Sequence, residues 1–186
     1  MNKKVVVIGG SAGSFTVVNQ ILHKLSADYT ASVVLCLHRL RDVRKGFIEA
    51  LSVKSKLPVV EAVDKEYLKP GNVYLAPANY HLSMEPEGLI ALSSEEAMNY
   101  SRPAIDITFE AVGHVYGDKA LGVLLSGANR DGAMGLRLLR LAGGDTIVQD
   151  PEDASMSTMP KAALSMYTEH RILSAAAIAQ TLAQQP

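Results

Sequence analysis

The sequence has one cysteine, no tryptophan and only 5% aromatic residues in 186 positions. A lone cysteine cannot form an intramolecular disulfide. Because Cys36 stands inside the apolar run 33–37, we expect a small buried hydrophobe and a reducing, cytoplasmic setting. No apolar run reaches the length of about eighteen residues needed to cross a bilayer, and Gly9 interrupts the first run. The sequence therefore predicts neither a disulfide scaffold nor membrane insertion.

Neither sign of charge predominates. Lys and Arg total 18 against 19 Asp and Glu, and neither sign gathers into a long run. A basic surface that attracts DNA, RNA or anionic lipid is therefore not expected, and we predict no nucleic-acid partner. The five histidines are scattered without the spacing of metal ligands, so we also predict no metal site.

The hydrophobic pattern predicts a single α/β domain over residues 1–186. With 48% hydrophobic residues, the chain is long enough and apolar enough to bury one core. Continuous apolar runs at 5–8, 33–37 and 121–125 are each followed by helical periodicity, which is typical of parallel strands joined by helices. The predicted fold class is a doubly wound, mostly parallel sheet flanked by helices.

The middle section departs from this pattern. Short apolar runs at 59–60, 73–76, 81–84 and 89–92 are separated by Gly and Pro residues. Such runs predict antiparallel hairpin strands at one edge of the sheet. We interpret the polar stretch 93–101 as a surface loop.

Three side chains with hydrolytic chemistry each follow a predicted buried strand. Ser11 follows the first strand, His38 follows the second, and Asp131 comes a few residues after the strand 121–125. Because the carboxyl ends of parallel strands meet at one edge of a sheet, we expect the three to converge on one crevice. Their types match a nucleophile, a general base and a carboxylate that orients the base.

Each of the three also has a purely structural interpretation. Ser11 and Asp131 could cap the helices that follow them, since serine and aspartate are favoured N-cap residues. His38 could belong to a polar loop at a strand end. The joint placement of three hydrolase residue types at three strand ends favours a common site over three independent structural roles.

The segment Gly9-Gly10-Ser11-Ala12-Gly13 satisfies G-x-S-x-G, a pattern that exposes a serine hydroxyl at a sharp strand-to-helix turn. Backbone N–H groups at the helix start, such as those of Ala12 and Gly13, would face a developing oxyanion. The chain order Ser, His, Asp argues against the ordinary α/β-hydrolase fold, whose order is Ser, Asp, His. A nucleotide-binding turn is an alternative, but the spacing matches neither G-x-G-x-x-G nor the P-loop pattern.

These motifs, in their order along the chain, resemble the catalytic domain of the CheB family of chemotaxis methylesterases. Residues 7–13 are similar to that family's nucleophile turn, and His38 after 34–37 is similar to its base. The remaining similarities are Tyr74-Leu75-Ala76-Pro77 with His81, Arg102-Pro103-Ala104-Ile105-Asp106, Leu125-Ser126-Gly127 through Asp131-Gly132-Ala133 and Gly135, and Met159-Pro160 with Ala162-Ala163.

The resemblance implies hydrolysis of glutamyl methyl esters on chemoreceptor-like proteins to glutamate and methanol, with glutamine deamidation as a second activity and no cofactor. Ser11, His38 and Asp131 would be nucleophile, base and orienting acid. The resemblance also places the loop with Met159 beside the site. Ala128 stands where many members have a methionine near the oxyanion, and Arg130, unusual beside the acid, could pair with a substrate carboxylate or with Asp131 itself. Ser14 stands where the family's turn commonly has glycine, so its backbone should avoid conformations that only glycine tolerates.

The chain begins directly at the first catalytic strand, so we expect one catalytic domain without a phosphoacceptor receiver domain. Such a domain would be constitutively active or controlled by a separate receiver-domain partner. The alternative function is a catalytically degenerate module that binds a signalling partner without turnover.

Overall fold

The computed structural model describes residues 4–38 and 46–184; the charged stretch 39–45 that follows His38 in the sequence lies outside the described residues. The described strands are β1 Val5–Gly10, β2 Ser32–Leu37, β3 Val59–Glu61, β4 Val73–Leu75, β5 His81–Glu85, β6 Leu89–Ser93, β7 Ala120–Leu124, β8 Asp145–Gln149 and β9 Arg171–Leu173. The described α-helices are α1 Ser14–Lys24, α2 Phe47–Ser52, α3 Ile105–Tyr116, α4 Ala133–Leu141, α5 Thr158–Met166 and α6 Ala175–Ala183.

Seven strands form one sheet in the order β3-β4-β2-β1-β7-β8-β9, and every pairing in it is parallel. Strand β1 lies in the middle, where Ile8 pairs with Leu35 of β2 and with Val123 of β7. All residues of β1 and β2 are buried, as expected for parallel strands with helices on both faces. The predicted fold class is confirmed.

The hairpin prediction is right for one pair of runs and wrong for the other. Strands β5 and β6 pair antiparallel in a separate two-stranded sheet. Strands β3 and β4 are instead parallel members of the main sheet, with Val59 opposite Val73. Such short runs carry no periodicity that separates the two arrangements, and the connection 62–72 is long enough to return the chain for parallel pairing.

Two hydrophobic cores lie on opposite faces of the main sheet. Because side chains alternate along a strand, Val6 and Ile8 of β1 enter one core while Val5 and Val7 enter the other. The first core includes residues of α1, α2 and α6, and the second includes residues of α3, α4, α5 and the hairpin. The helices thereby hold the carboxyl ends of the central strands in fixed positions.

The structure confirms the prediction that Cys36 is a buried hydrophobic residue. Its side chain is fully buried in the second core, and the Thr108 hydroxyl donates to its Sγ at 3.4 Å. Burial raises the pKa of the Cys36 thiol to about 12, so it stays protonated and unreactive. Within residues 4–38 and 46–184, no helix has the length and apolar character needed to cross a bilayer.

The buried imidazole of His170 makes the stability of the fold depend on pH. Its Nδ1 lies 2.7 Å from the Thr146 hydroxyl, and burial, with the positive charge of Arg140 nearby, lowers its pKa to about 4. The unfolded chain, with a histidine pKa of about 6.5, binds this proton more readily, so stability is complete above that pH and falls toward pH 4. We expect a loss on the order of 2–3 kcal/mol from this group.

The variant His170→Asn tests this expectation, because its Oδ1 can accept from Thr146 and it does not titrate. Urea unfolding between pH 7 and 4 should show a shallower decline in the variant than in the parent. An identical pH dependence of the two free energies of unfolding would contradict the assignment.

Candidate active site

The site lies at the carboxyl edge of the sheet, next to the end of the central strand β1. Strand β2 flanks β1 on one side and β7 on the other, and this arrangement opens a crevice beyond the strand ends. Ser11 follows β1 directly, and its N–H donates to the carbonyl of Ser126 after β7 at 2.9 Å. On the other side, the N–H of His38 donates to the Gly10 carbonyl at 3.0 Å. The segments that follow β1, β2 and β7 therefore lie side by side at this edge of the sheet.

The structure brings His38 and Asp131 into direct contact. The Nε2 atom of His38 and the Oδ2 atom of Asp131 are 2.7 Å apart, although 93 positions separate the residues. The Asp131 side chain is fully buried, while 12% of the His38 side chain remains exposed. A buried carboxylate thus fixes one ring nitrogen and leaves the other edge of the imidazole toward the crevice.

The Asp131 carboxylate sits at the start of α3 and accepts several hydrogen bonds. Its Oδ2 also accepts from the N–H of Ile105 at 2.7 Å. Its Oδ1 accepts from the N–H groups of Asp106 at 3.2 Å and Gly132 at 3.0 Å, and from the Asn99 amide at 3.0 Å. Burial acts to raise the pKa of Asp131, but the bonds from His38, Ile105 and Asn99 outweigh it, so its pKa lies below its ordinary value.

Ser11 occupies the expected place but is not hydrogen-bonded to the base. Across residues 4–38 and 46–184, no hydrogen bond joins its hydroxyl to the His38 ring. The Nδ1 atom of His38 instead lies 3.3 Å from the hydroxyl of Ser101. Since Nε2 faces Asp131, Nδ1 is the nitrogen that can accept a proton, and contacts of this kind often tighten only when substrate binds.

The turn that carries Ser11 is shaped by its neighbours. Gly13 has φ 82°, and a Cβ there would lie 2.6 Å from Cβ of Ser155, so the position requires glycine. Ser14, in contrast, begins α1 in helical conformation, and its hydroxyl donates to the Ser11 carbonyl at 2.7 Å. Serine in place of the family's common glycine is therefore accommodated without strain, and it ties the nucleophile turn to the helix.

Two backbone N–H groups directly follow Ser11 in the turn before α1. Ala12 and Gly13 are exposed, and neither N–H has an acceptor within the part of the chain that the structure describes. Both precede α1, whose positive dipole end favours negative charge. This is the arrangement expected of an oxyanion site.

Ser126 joins the nucleophile turn to the loop after β8. Its buried hydroxyl donates to the Ala12 carbonyl at 2.7 Å and accepts from the N–H of Met156 at 2.9 Å. Its own N–H donates to the side chain of Gln149 at 2.9 Å. Three loops at the carboxyl edge are therefore held together by one serine.

The remaining predicted substrate residues differ in exposure. Ala128 and Arg130 lie exposed on the loop after β7, and among the described residues Arg130 makes no ion pair with Asp131. Met159 is fully buried, and its Sδ and Cε pack beneath Gly127. Its side chain therefore supports the loop that carries Asp131, and a contact of Met159 with substrate stays a prediction.

The loop 93–101 contributes to the site, which its polar sequence does not predict. Asn99 contacts Asp131 and Ser101 contacts His38, so the stretch is more than a surface loop. The R-P-x-x-D stretch was the available signal, because Arg102 Nη1 donates to the carbonyls of Ser94 at 2.6 Å and Glu95 at 2.7 Å. Through these two hydrogen bonds, Arg102 of the motif holds the loop 93–101 in place beside the site.

His81 fastens the same loop from the hairpin. It is buried, with Nε2 donating to the Glu96 carbonyl at 2.9 Å and Nδ1 accepting from the N–H of Ala104 at 3.1 Å. Its role in the described structure is therefore structural.

The parallel sheet, the serine turn at its centre and the His–Asp pair define a doubly wound α/β domain with the residue types of a serine hydrolase at its central crevice. The profile of the CheB methylesterase family matches residues 6–182. The chain therefore belongs to that family. The crystal structure of the Thermotoga maritima CheB methylesterase catalytic domain superposes with a TM-score of 0.92, at 31% identity and 99% coverage of both chains.

Several relatives carry methylesterase names. A Leptospira interrogans protein, provisionally named protein-glutamate methylesterase/protein-glutamine glutaminase, is 38% identical over 97% of this chain and 93% of its own length. Protein-glutamate methylesterase/protein-glutamine glutaminase 3 of Pseudomonas aeruginosa is 38% identical over 98% of this chain, and protein-glutamate methylesterase FrzG of Myxococcus xanthus is 34% identical over 96%. The chain spans about half of these last two proteins, 54% of each.

Removal of the Ser126 hydroxyl should loosen the nucleophile turn. In Ser126→Ala, the N–H of Met156 and the Ala12 carbonyl lose the buried hydroxyl that they both bind, which should lower the free energy of unfolding by about 1–3 kcal/mol. The matched control Ser165→Ala removes an exposed hydroxyl that bonds only within α5, and should cost less than about 0.5 kcal/mol. Urea unfolding measures both, and equal midpoints in the two variants would argue against the proposed linkage.

Proposed function

We propose that this chain hydrolyses glutamyl methyl esters on chemoreceptor-like signalling proteins, using Ser11 as nucleophile, His38 as general base and Asp131 as the acid that orients the base. The observation that carries the proposal is the buried His38–Asp131 contact of 2.7 Å beside a G-x-S-x-G turn at the central crevice. Family membership supports the ester substrate, since the matched relatives are named protein-glutamate methylesterases.

The reaction proceeds through an acyl-enzyme. Ser11 Oγ forms a bond to the ester carbonyl carbon while its proton passes to Nδ1 of His38, and the carbonyl oxygen becomes an oxyanion. The N–H groups of Ala12 and Gly13 stabilise that oxyanion. The intermediate collapses, the bond to the methoxy oxygen breaks, and His38 returns the proton to release methanol.

Water completes the cycle. It attacks the acyl carbon and gives a proton to His38, and collapse of the second intermediate breaks the bond to Ser11 Oγ, which regains that proton. The second product is the glutamate side chain. The same sequence on a glutamine side chain releases ammonia in place of methanol, which matches the glutaminase part of the relatives' names. Throughout, Asp131 keeps Nε2 protonated and so leaves Nδ1 as the acceptor.

The exposed loop after β7 supplies a proposed contact for the protein substrate. Arg130 is exposed on this loop, directly before Asp131, and makes no ion pair among the described residues. A receptor helix that carries methylated glutamates also carries free carboxylates, which a guanidinium binds well. Ala128 leaves the same loop with no bulk that would obstruct such a helix.

Methanol release tests the activity and its nucleophile together. Purified protein incubated with methylated receptor cytoplasmic fragments should release methanol, and Ser11→Ala should abolish release because no hydroxyl remains to attack. Ser165→Ala serves as the matched control and should retain the parent rate, since its hydroxyl lies on the exposed face of α5. Labelling by a serine-directed phosphonate should follow the same pattern.

The alternative of a partner-binding module without turnover predicts a different result. A folded protein that forms a complex with receptor fragments, but releases no methanol and takes up no phosphonate at Ser11, would favour that alternative over the esterase.

Asp131→Asn tests the orienting role. An amide can donate to Nε2 and so stabilises the wrong tautomer, in which Nδ1 carries the proton and cannot act as base. We expect kcat to fall by about 10²–10⁴-fold with little change in KM. The control Asp28→Asn alters an exposed carboxylate near the amino-terminal edge of the sheet and should leave kcat unchanged. A kcat within twofold of the parent in Asp131→Asn would remove Asp131 from the mechanism.

A further inference from the structure

A single amide bridges the buried carboxylate of Asp131 and the half-buried carboxylate of Asp106. The Nδ2 atom of Asn99 donates to Oδ2 of Asp106 at 2.9 Å and to Oδ1 of Asp131 at 3.0 Å. An amide nitrogen has two protons, so both are used by this bridge. Within residues 4–38 and 46–184, no hydrogen bond joins Asn99 to Ser11 or His38, so Asn99 acts on the base through Asp131.

The two carboxylates need such a donor between them. Burial raises the pKa of Asp106, and the charge of Asp131 raises it further, while bonds from the Gly135 N–H and from Asn99 act against this. Like charges held close together in a buried site favour uptake of a proton by one of them. Asp106, whose pKa is raised, would take up that proton before Asp131, whose pKa is lowered. Loss of the Asn99 bond would raise the pKa of Asp131 and so favour loss of the charge that orients His38.

Asn99 is held in place by the backbone of a tight turn. The N–H of Ser101 donates to the Met98 carbonyl at 2.9 Å, and both residues between them have positive φ, 51° at Asn99 and 61° at Tyr100. Asparagine tolerates this conformation better than most residues. The Tyr100 side chain is fully exposed, so it does not fix the turn. The turn is secured instead through the loop carbonyls that Arg102 and His81 bind.

The side chains of Asn99 and Ser101 contact both members of the acid–base pair. Asn99 contacts Asp131, and the Ser101 hydroxyl lies 3.3 Å from Nδ1 of His38. With Nε2 donating to Asp131, Nδ1 can only accept, so Ser101 donates to it in this structure. Both ring nitrogens of His38 thus have a hydrogen-bond partner, and the orientation of the imidazole is fixed from two sides.

We propose that Asn99 is a positioning residue of this hydrolase, which keeps Asp131 ionised and oriented by placing its amide between Asp131 and Asp106. The turn 98–101 then supports the acid–base pair through its contacts with Asp131 and His38. This inference rests on the proposed function for its kinetic consequence, but its structural consequence, the protonation pattern of the His38 ring, can be observed without turnover.

Two variants of Asn99 test the inference. Asn99→Asp keeps the size but replaces the two donor protons with a third carboxylate, and Asn99→Gly removes the side chain while suiting the positive φ. The control Asn72→Asp makes the same chemical change at the amino-terminal edge of the sheet, just before β4. Thermal unfolding establishes that each variant is folded before its kinetics are read.

We expect kcat to fall by about 10- to 100-fold in both Asn99 variants, because a hydrogen bond to a charged group is lost, with KM nearly unchanged. The acid limb of the kcat/KM profile should move to higher pH, further in Asn99→Asp than in Asn99→Gly, because an added carboxylate favours a proton on the cluster. Asn72→Asp should match the parent. A purely structural role for Asn99 would lower stability without moving the acid limb.

Long-range nitrogen-15 NMR of the His38 ring provides the second readout. The parent should show Nε2 protonated and Nδ1 bare at neutral pH, and both Asn99 variants should show a mixture of the two tautomers. Variants with the parent tautomer and the parent acid limb would overturn the inference. If the parent releases no methanol, the proposed function fails, and the tautomers alone then decide the role of Asn99.

Discussion

The buried negative charge of Asp131 is the constraint on which the site depends. An ionised carboxylate that is removed from water is costly unless hydrogen bonds and opposite charge replace its hydration. Here the donors are the first two N–H groups of α3, the N–H of Gly132, the Asn99 amide and the His38 ring. Because these donors come from four separate parts of the chain, satisfying one carboxylate also fixes the base, a loop and two helices relative to one another.

The site combines a rigid acid–base pair with a less constrained nucleophile. His38 is held at Nε2 by Asp131 and approached at Nδ1 by Ser101, whereas the Ser11 hydroxyl has no bond to the ring among the described residues. The backbone around Ser11 is nevertheless well fixed, through Ser126 on one side and Ser14 on the other. In the proposed mechanism, the Ser11 hydroxyl has to take the place at Nδ1 of His38 that the Ser101 hydroxyl approaches at 3.3 Å in this structure.

The sequence was sufficient to predict those parts of the molecule that rest on continuous patterns. Unbroken apolar runs identified the central strands, and the polar residue types after them identified Ser11, His38 and Asp131 as neighbours, of which the structure joins His38 and Asp131 directly. The parallel pairing of β3 with β4 and the contacts of Asn99 could not be predicted. A three-residue strand has no informative period, and the partners of a polar loop side chain are decided by the tertiary fold rather than by neighbouring residues.

The central position of β1 also has a consequence for the order of folding. Its pairing with β2 closes a short βα unit, but its pairing with β7 must wait for a segment more distant in the sequence. Closing longer loops costs more entropy, and contacts between distant segments form later on average. Ser11 and His38 can therefore become neighbours in the amino-terminal half of the chain alone, while the acid arrives only with β7. Recovery of hydrolysis during refolding thus reports completion of the sheet at its centre, not the first collapse around β1.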